Sequence, residues 1–209
     1  MDPVFGKLVA MEGDDGGGKT TFVKHLMEKH PEYVYSREPG GSQASEQIRS
    51  LLLSDEGRTI DPATRLHLFW ASRAENINKV IRPALLAGKI VVTDRFDAST
   101  FAYQIGGDGQ GDLAPLFWQI REFHLRYLPI KYLFFNLPSS VAEERLRKRS
   151  GESNHFDEQG RAYRNKVSRH YSVFFFDRRV RYSHLKFNSD LPESEMLAGA
   201  YEMFQRLIA

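Results

Sequence analysis

The stretch "KLVAMEGDDGGGKTTFVKHLMEK", Lys7 to Lys29, decides the fold. Lys7–Glu12 is a mostly apolar run that stops at Gly13, the pattern of a buried strand. Lys19–Lys29 carries Phe22, Val23, Leu26 and Met27 at helical spacing, with Pro31 just beyond its end. Between them, "GDDGGGKT" (Gly13–Thr20) fits G-x-x-x-x-G-K-[ST], a loop between strand and helix whose backbone N–H groups curl around phosphate oxygens. Lys19 is placed to reach β and γ phosphates, and the Thr20 hydroxyl to ligate magnesium. The candidate nucleotide-binding set is Gly13, Asp14, Asp15, Gly16, Gly17, Gly18, Lys19, Thr20 and Thr21.

Strand and helix patterns alternate along the rest of the chain. "EYVYS" (Glu32–Ser36), "KIVVTD" (Lys89–Asp94), "KYLFFNL" (Lys131–Leu137) and "HLKFN" (His184–Asn188) read as strands. Helices are expected over Ser42–Leu53, Pro62–Ala87 with a kink near Pro83, Ala98–Ile105, Leu113–Tyr127, Ser139–Arg149, Arg161–Phe176 and from Pro192 onward. This order predicts an α/β fold with a parallel sheet of about five strands, flanked by helices on both faces. Asp94, at the carboxyl end of its strand, is a candidate to join Thr20 at the metal; a turn-forming role is the plainer alternative.

Composition narrows the function. Of the 209 residues, 41% are hydrophobic and 27% charged, ordinary for one globular domain, so 1–209 reads as a single domain. The net charge of +2 lacks the basic excess of a dedicated nucleic-acid binder. Without cysteine there are no disulfides, thiolate metal sites or cysteine nucleophiles. Neither a secretory leader nor an apolar run of about 18 residues is evident, so a cytosolic protein without membrane attachment is expected.

"EGDDGGGKTT", "REPGGS" followed by "EQIRSLL", "LFWASRAE", and "TDRFDASTFAYQIGGDG" occur in this order. Together they resemble the thymidylate kinase family, P-loop enzymes that phosphorylate dTMP using ATP and magnesium. The resemblance covers nearly the whole chain and is strongest from Val9 to Gly109. It implies that Asp15 faces the acceptor's 3′-hydroxyl, that Arg95 and Arg49 grip its phosphate, and that Phe69 stacks on the pyrimidine. It further implies that Arg73 bonds the base carbonyl, that Ser99, Thr100, Tyr103 and Gln104 line base and sugar, and that Glu38 lies beside the acceptor. Asp14 holds a variable position, read as structural or solvent-facing. Taken singly, these residues have plainer readings: Phe69 as core, Arg49 as a surface cation, Tyr103 as packing.

The family carries its basic catalytic residue either in the phosphate loop or in a lid over ATP. Glycines at 16 and 17 leave that role to a lid near 147–161. There "NHFD" (Asn154–Asp157) stands where the family usually reads Asp-Arg-Phe-Glu, so His155 replaces an arginine. Either Arg147, Arg149, Arg161 or Arg164 substitutes, or the reaction is slower; Arg149 also matches a position that packs against adenine. The catalytic set implied is Lys19, Arg95, Asp15, Arg149 and Arg147. By composition alone, Ser150–Gly160 is either a solvated loop or a mobile segment. The resemblance implies a homodimer with ATP and dTMP as partners. A kinase for dUMP or a 5-substituted dUMP, and a non-catalytic nucleotide-binding protein, remain the alternatives.

Overall fold

The computed structural model describes residues 6–148, 159–180 and 183–209. In chain order the elements are β1 (Lys7–Gly13), α1 (Lys19–Lys29), β2 (Val34–Arg37), α2 (Gln43–Leu53), α3 (Asp55–Thr59), α4 (Pro62–Asn76), α5 (Arg82–Leu86), β3 (Ile90–Asp94) and α6 (Asp97–Thr100). There follow α7 (Ala114–Leu125), β4 (Ile130–Asn136), α8 (Ser139–Lys148), α9 (Arg161–Phe176), β5 (His184–Asn188) and α10 (Glu193–Ile208). The five strands form one parallel sheet in the order β2-β3-β1-β4-β5.

Both faces of the sheet are covered, and the strand sequences show why. Along β1, Leu8 and Ala10 join the cluster built with Trp70, Phe117, Tyr171 and Phe174 from α4, α7 and α9. Val9 and Met11 point the other way, into a cluster with Phe22 and Leu26 of α1 and Phe204 of α10. Tyr132 and Leu133 of β4 divide between the same two clusters. Alternation of side chains sends successive residues of the central strands to opposite cores, so a strand buried on both faces is mostly apolar.

Two expected helices take a different form. Pro62–Ala87 is interrupted by a wide π-helical turn at Ile77–Ile81, just before Pro83. Proline has no N–H for the carbonyl four residues earlier and its ring crowds that carbonyl, so the widened turn sits upstream. The helix expected over Ala98–Ile105 begins as α6 and continues as a π-helical stretch, Phe101–Gly107, closed by Asp108 N donating to the Tyr103 carbonyl (2.9 Å). The short α3, capped by the Ser54 hydroxyl accepting from Gly57 N, was not expected. Most of the expected lid, including Arg149 and His155, lies outside the described residues. No helix among the described residues is long and apolar enough to cross a membrane.

Candidate active site

The carboxyl ends of β1, β2 and β3 converge on one pocket of about 360 Å³, large enough for a nucleotide-sized ligand. Asp15 and Thr20 bring the phosphate loop into its lining. Gly13 leaves β1 with φ 141° and its α-carbon so close to β4 that a Cβ would stand 2.3 Å from the Phe135 carbonyl. Gly18 has φ 88° at the start of α1. Both positions require glycine. Arg145 of α8 braces the loop from outside, donating to the carbonyls of Gly16, Ser189 and Leu191.

Lys19 is buried, and its Nζ donates to the Asp14 carbonyl at 2.7 Å. Burial, reinforced by the Arg95 charge, brings its ammonium down to about 8, with Asp15, Asp94 and Asp14 opposing. The Thr20 hydroxyl donates to Asp94 Oδ2 at 2.6 Å, so the two proposed metal residues are adjacent. Thr21 is exposed on the first turn of α1.

The two loop aspartates turn in different directions. Asp14 is 4% exposed, which corrects the solvent-facing alternative. Its Oδ1 accepts from Asp15 N (2.8 Å) and the Tyr103 hydroxyl (3.3 Å), so it ties the loop down, and burial pushes its carboxyl up. Asp15 faces the pocket, where it pairs with Arg95 and accepts from the Tyr103 hydroxyl (2.7 Å). Burial would raise the Asp15 carboxyl, but Arg95 and Lys19 outweigh it and hold the group at about 2.

Arg95 follows β3 with φ 69°, a left-handed conformation that costs a side-chain-bearing residue about 1–2 kcal/mol. Its backbone N–H bonds the Met11 carbonyl, while its guanidinium donates to the Gly13 carbonyl (3.3 Å) and the Ser99 hydroxyl (3.0 Å). Beneath it, fully buried Glu12 accepts from the backbone N–H groups of Phe96 and Ser99 (2.8 and 3.1 Å). Asp97, gripped by Arg121 and Tyr132, anchors α6 from the other side. Thus the strained turn is held at each end, as expected where backbone strain serves a site.

The upper pocket is lined by α4 on one side and by α6 with its π-helical continuation on the other. Phe69 and Arg73 stand one turn apart on α4. Arg73 Nε donates to Glu38 (2.6 Å) and NH2 to the Thr100 hydroxyl (2.8 Å), with the guanidinium over the Trp70 ring at 4.5 Å. Burial pushes the Glu38 carboxyl up to about 7 against the pull of Arg73 and Asn76. Arg73 NH1 and Gln104 Nε2 are buried with no hydrogen-bond partner among the described residues. Such groups are costly unless something else satisfies them. Arg49 donates to the Pro39 carbonyl (2.7 Å), beside the cis Glu38–Pro39 bond.

All ten residues expected at the acceptor, Asp15, Glu38, Arg49, Phe69, Arg73, Arg95, Ser99, Thr100, Tyr103 and Gln104, line this pocket, and Thr20 and Asp94 share it. Arg147 does not line it; it is exposed on α8 and paired with Glu143, which also takes Arg161. Arg164 is buried instead, near enough for its charge to add to the pull that holds the Asp15 carboxyl down and to oppose the rise at Asp14. Sequence reading missed Arg37, Pro39, Leu53 and Phe96 in the lining, and Glu12, Tyr171 and Arg145 in support. Only Glu12 carries a sequence signal, a charge inside an otherwise apolar strand.

Comparison with known proteins bears on the family and the fold. The family model described as thymidylate kinase matches residues 11–187. A thymidylate kinase of Mesoplasma florum is 42% identical over 166 residues, covering 77% of each chain. That of Limosilactobacillus reuteri is 33% identical over 211 residues, covering 97% of this chain and 92% of its own. A crystal structure of thymidylate kinase from Ehrlichia chaffeensis shares the fold, with a TM-score of 0.73 at 24% identity over 96% of this chain and 98% of that one. With relatives this similar over most of both chains, the protein belongs to the thymidylate kinase family.

Proposed function

We propose that the protein transfers the γ-phosphoryl group of ATP to the 5′-phosphate of dTMP, giving dTDP and ADP. The observation that carries this reading is the continuity of one pocket, lined at one end by Thr20 and Asp94 beside the phosphate loop and at the other by Phe69, Arg73 and Gln104. An acceptor oxygen attacks the γ-phosphorus as the bond to the β-bridging oxygen breaks. The protein itself needs no nucleophile.

Catalysis then consists of positioning and charge stabilisation. Lys19 offers its ammonium to the donor phosphates, and Arg95 and Arg49 hold the acceptor phosphate; guanidinium forks suit phosphate oxygens. The orphaned nitrogens of Arg73 and Gln104 fit a keto-pyrimidine that stacks on Phe69, with the Gln104 amide able to present either atom. Asp15, an acceptor-only carboxylate, favours a free 3′-hydroxyl and repels a phosphate there. A hydroxyl and a carboxylate suit magnesium, which keeps most of its waters and asks few protein ligands, so Thr20 and Asp94 would hold it. When bound, it would neutralise charge on the donor phosphates. A cytosolic homodimer is the state that the family resemblance implies.

Calorimetric titration with dTMP, thymidine and dCMP tests the acceptor assignment. Binding of dTMP well above the other two supports it; equal binding of all three contradicts it. We expect Asp15→Ala to weaken acceptor use about thirtyfold, as for loss of a charged hydrogen bond, with ATP binding little changed. Equal loss of both would assign Asp15 to the loop. Donor binding should also depend on pH. Free Lys19 loses its proton near 8, whereas a bound phosphate favours the ammonium and raises that value. Donor affinity is therefore full below about 8 and falls by up to about tenfold per pH unit above it. A flat titration through alkaline pH would contradict this.

A further inference from the structure

The two walls of the acceptor pocket belong to separate elements, and two polar rungs join them. One is Arg73 to Thr100, inside the pocket. The other lies about two helical turns earlier on α4, where Arg65 NH2 donates to Asp108 Oδ2 at 2.9 Å. Asp108 follows Gln104 by one turn and sits just past the π-helical stretch. Its backbone N–H closes that stretch by bonding the Tyr103 carbonyl at 2.9 Å. Its second carboxylate oxygen accepts from the Tyr163 hydroxyl of α9 at 3.1 Å.

The surroundings fit a built junction. The Arg65 and Asp108 side chains are 10% and 15% exposed, and neither lines the pocket. At Gly107 a Cβ would stand 2.5 Å from the Tyr163 ring, so the missing side chain lets the ring lie against the stretch and reach Asp108. Further along, α9 reaches the phosphate loop, where the Tyr171 hydroxyl donates to the Gly13 carbonyl at 2.9 Å. Asp108 is thus where α4, the base-lining stretch and α9 are pinned together. Packed cores shift between discrete arrangements more readily than they stretch, so loss of this pin should move a wall of the pocket.

We propose that Asp108 is a positioning residue for the acceptor. Its clasp with Arg65 and Tyr163 fixes the separation of the walls carrying Phe69 and Arg73 on one side and Tyr103 and Gln104 on the other. The proposal rests on the acceptor reading given above. Asparagine at 108 keeps the shape but removes the charge facing Arg65, and phenylalanine at 163 removes one hydroxyl only.

The test is steady-state kinetics of Asp108→Asn and Tyr163→Phe with dTMP and ATP varied separately, alongside dTMP calorimetry and thermal melts. Asp108→Asn should raise the KM and Kd for dTMP about tenfold and Tyr163→Phe about threefold, with the ATP KM within about twofold of wild type. In the double-mutant cycle of Arg65→Gln with Asp108→Asn, the second change should add little to the first. Unchanged dTMP affinity in both variants overturns the clasp. So does an equal rise in both KM values with a lowered Tm, the mark of a merely structural contact. If wild type binds dTMP without turning it over, the functional reading fails and the clasp is still read from Kd. A wild type that neither binds nor converts dTMP overturns both.

Discussion

Lys19→Ala should lower the rate of phosphoryl transfer by about three orders of magnitude or more. Lys19 is the buried cation of the phosphate loop, at the start of α1, and it already donates to the loop through the Asp14 carbonyl. That contact holds the ammonium within the loop, where its charge would meet the donor phosphates. Alanine leaves the glycine-built loop intact, and nucleotide should still bind, more weakly. Single-turnover kinetics at saturating ATP separates the two effects. Turnover near wild type would contradict the assignment of the loop as the donor site.

Arg95→Gly should cost about three orders of magnitude in kcat/KM for the acceptor, with ATP affinity changed little. Glycine is the cleaner substitution because alanine would inherit the φ of 69°. The guanidinium lies between the Gly13 carbonyl of the phosphate loop and Ser99 of the acceptor wall, and it pairs with Asp15. In the proposed reaction it would set where the acceptor phosphate stands relative to the donor. Lysine at 95 would retain the charge without the fork, and should recover no more than about tenfold. Parallel loss of ATP binding would show that Arg95 serves mainly to brace the loop.

The sheet was legible because parallel strands buried on both faces are short, apolar and separated by helical patterns. Each of the five strand readings overlaps an observed strand. Pro83 announced an irregularity, but the π-helical form of Ile77–Ile81 depends on how the chain accommodates the missing hydrogen bond. The ten residues expected at the acceptor are scattered from 15 to 104 in sequence, yet they gather around one pocket. What stayed hidden was the inward turn of Asp14, read as structural or solvent-facing: its bond from Asp15 N and the close fit of the loop decide it. Arg145, Tyr171 and the Arg65–Asp108–Tyr163 junction act through partners far away in sequence, so no local pattern marks them.

If one continuous pocket joins a phosphate donor to a keto-pyrimidine monophosphate, ADP release in the presence of ATP and magnesium should follow the acceptor, measured across dTMP, dUMP, 5-hydroxymethyl-dUMP, dCMP, dGMP and thymidine. Turnover should be fast with dTMP, weaker with dCMP and dGMP, and absent with thymidine, which lacks the phosphate that Arg95 and Arg49 would hold. Preference for another deoxyuridylate would keep the mechanism and change the substrate. ATP binding without acceptor-dependent turnover would rule out the kinase and favour a non-catalytic nucleotide-binding protein.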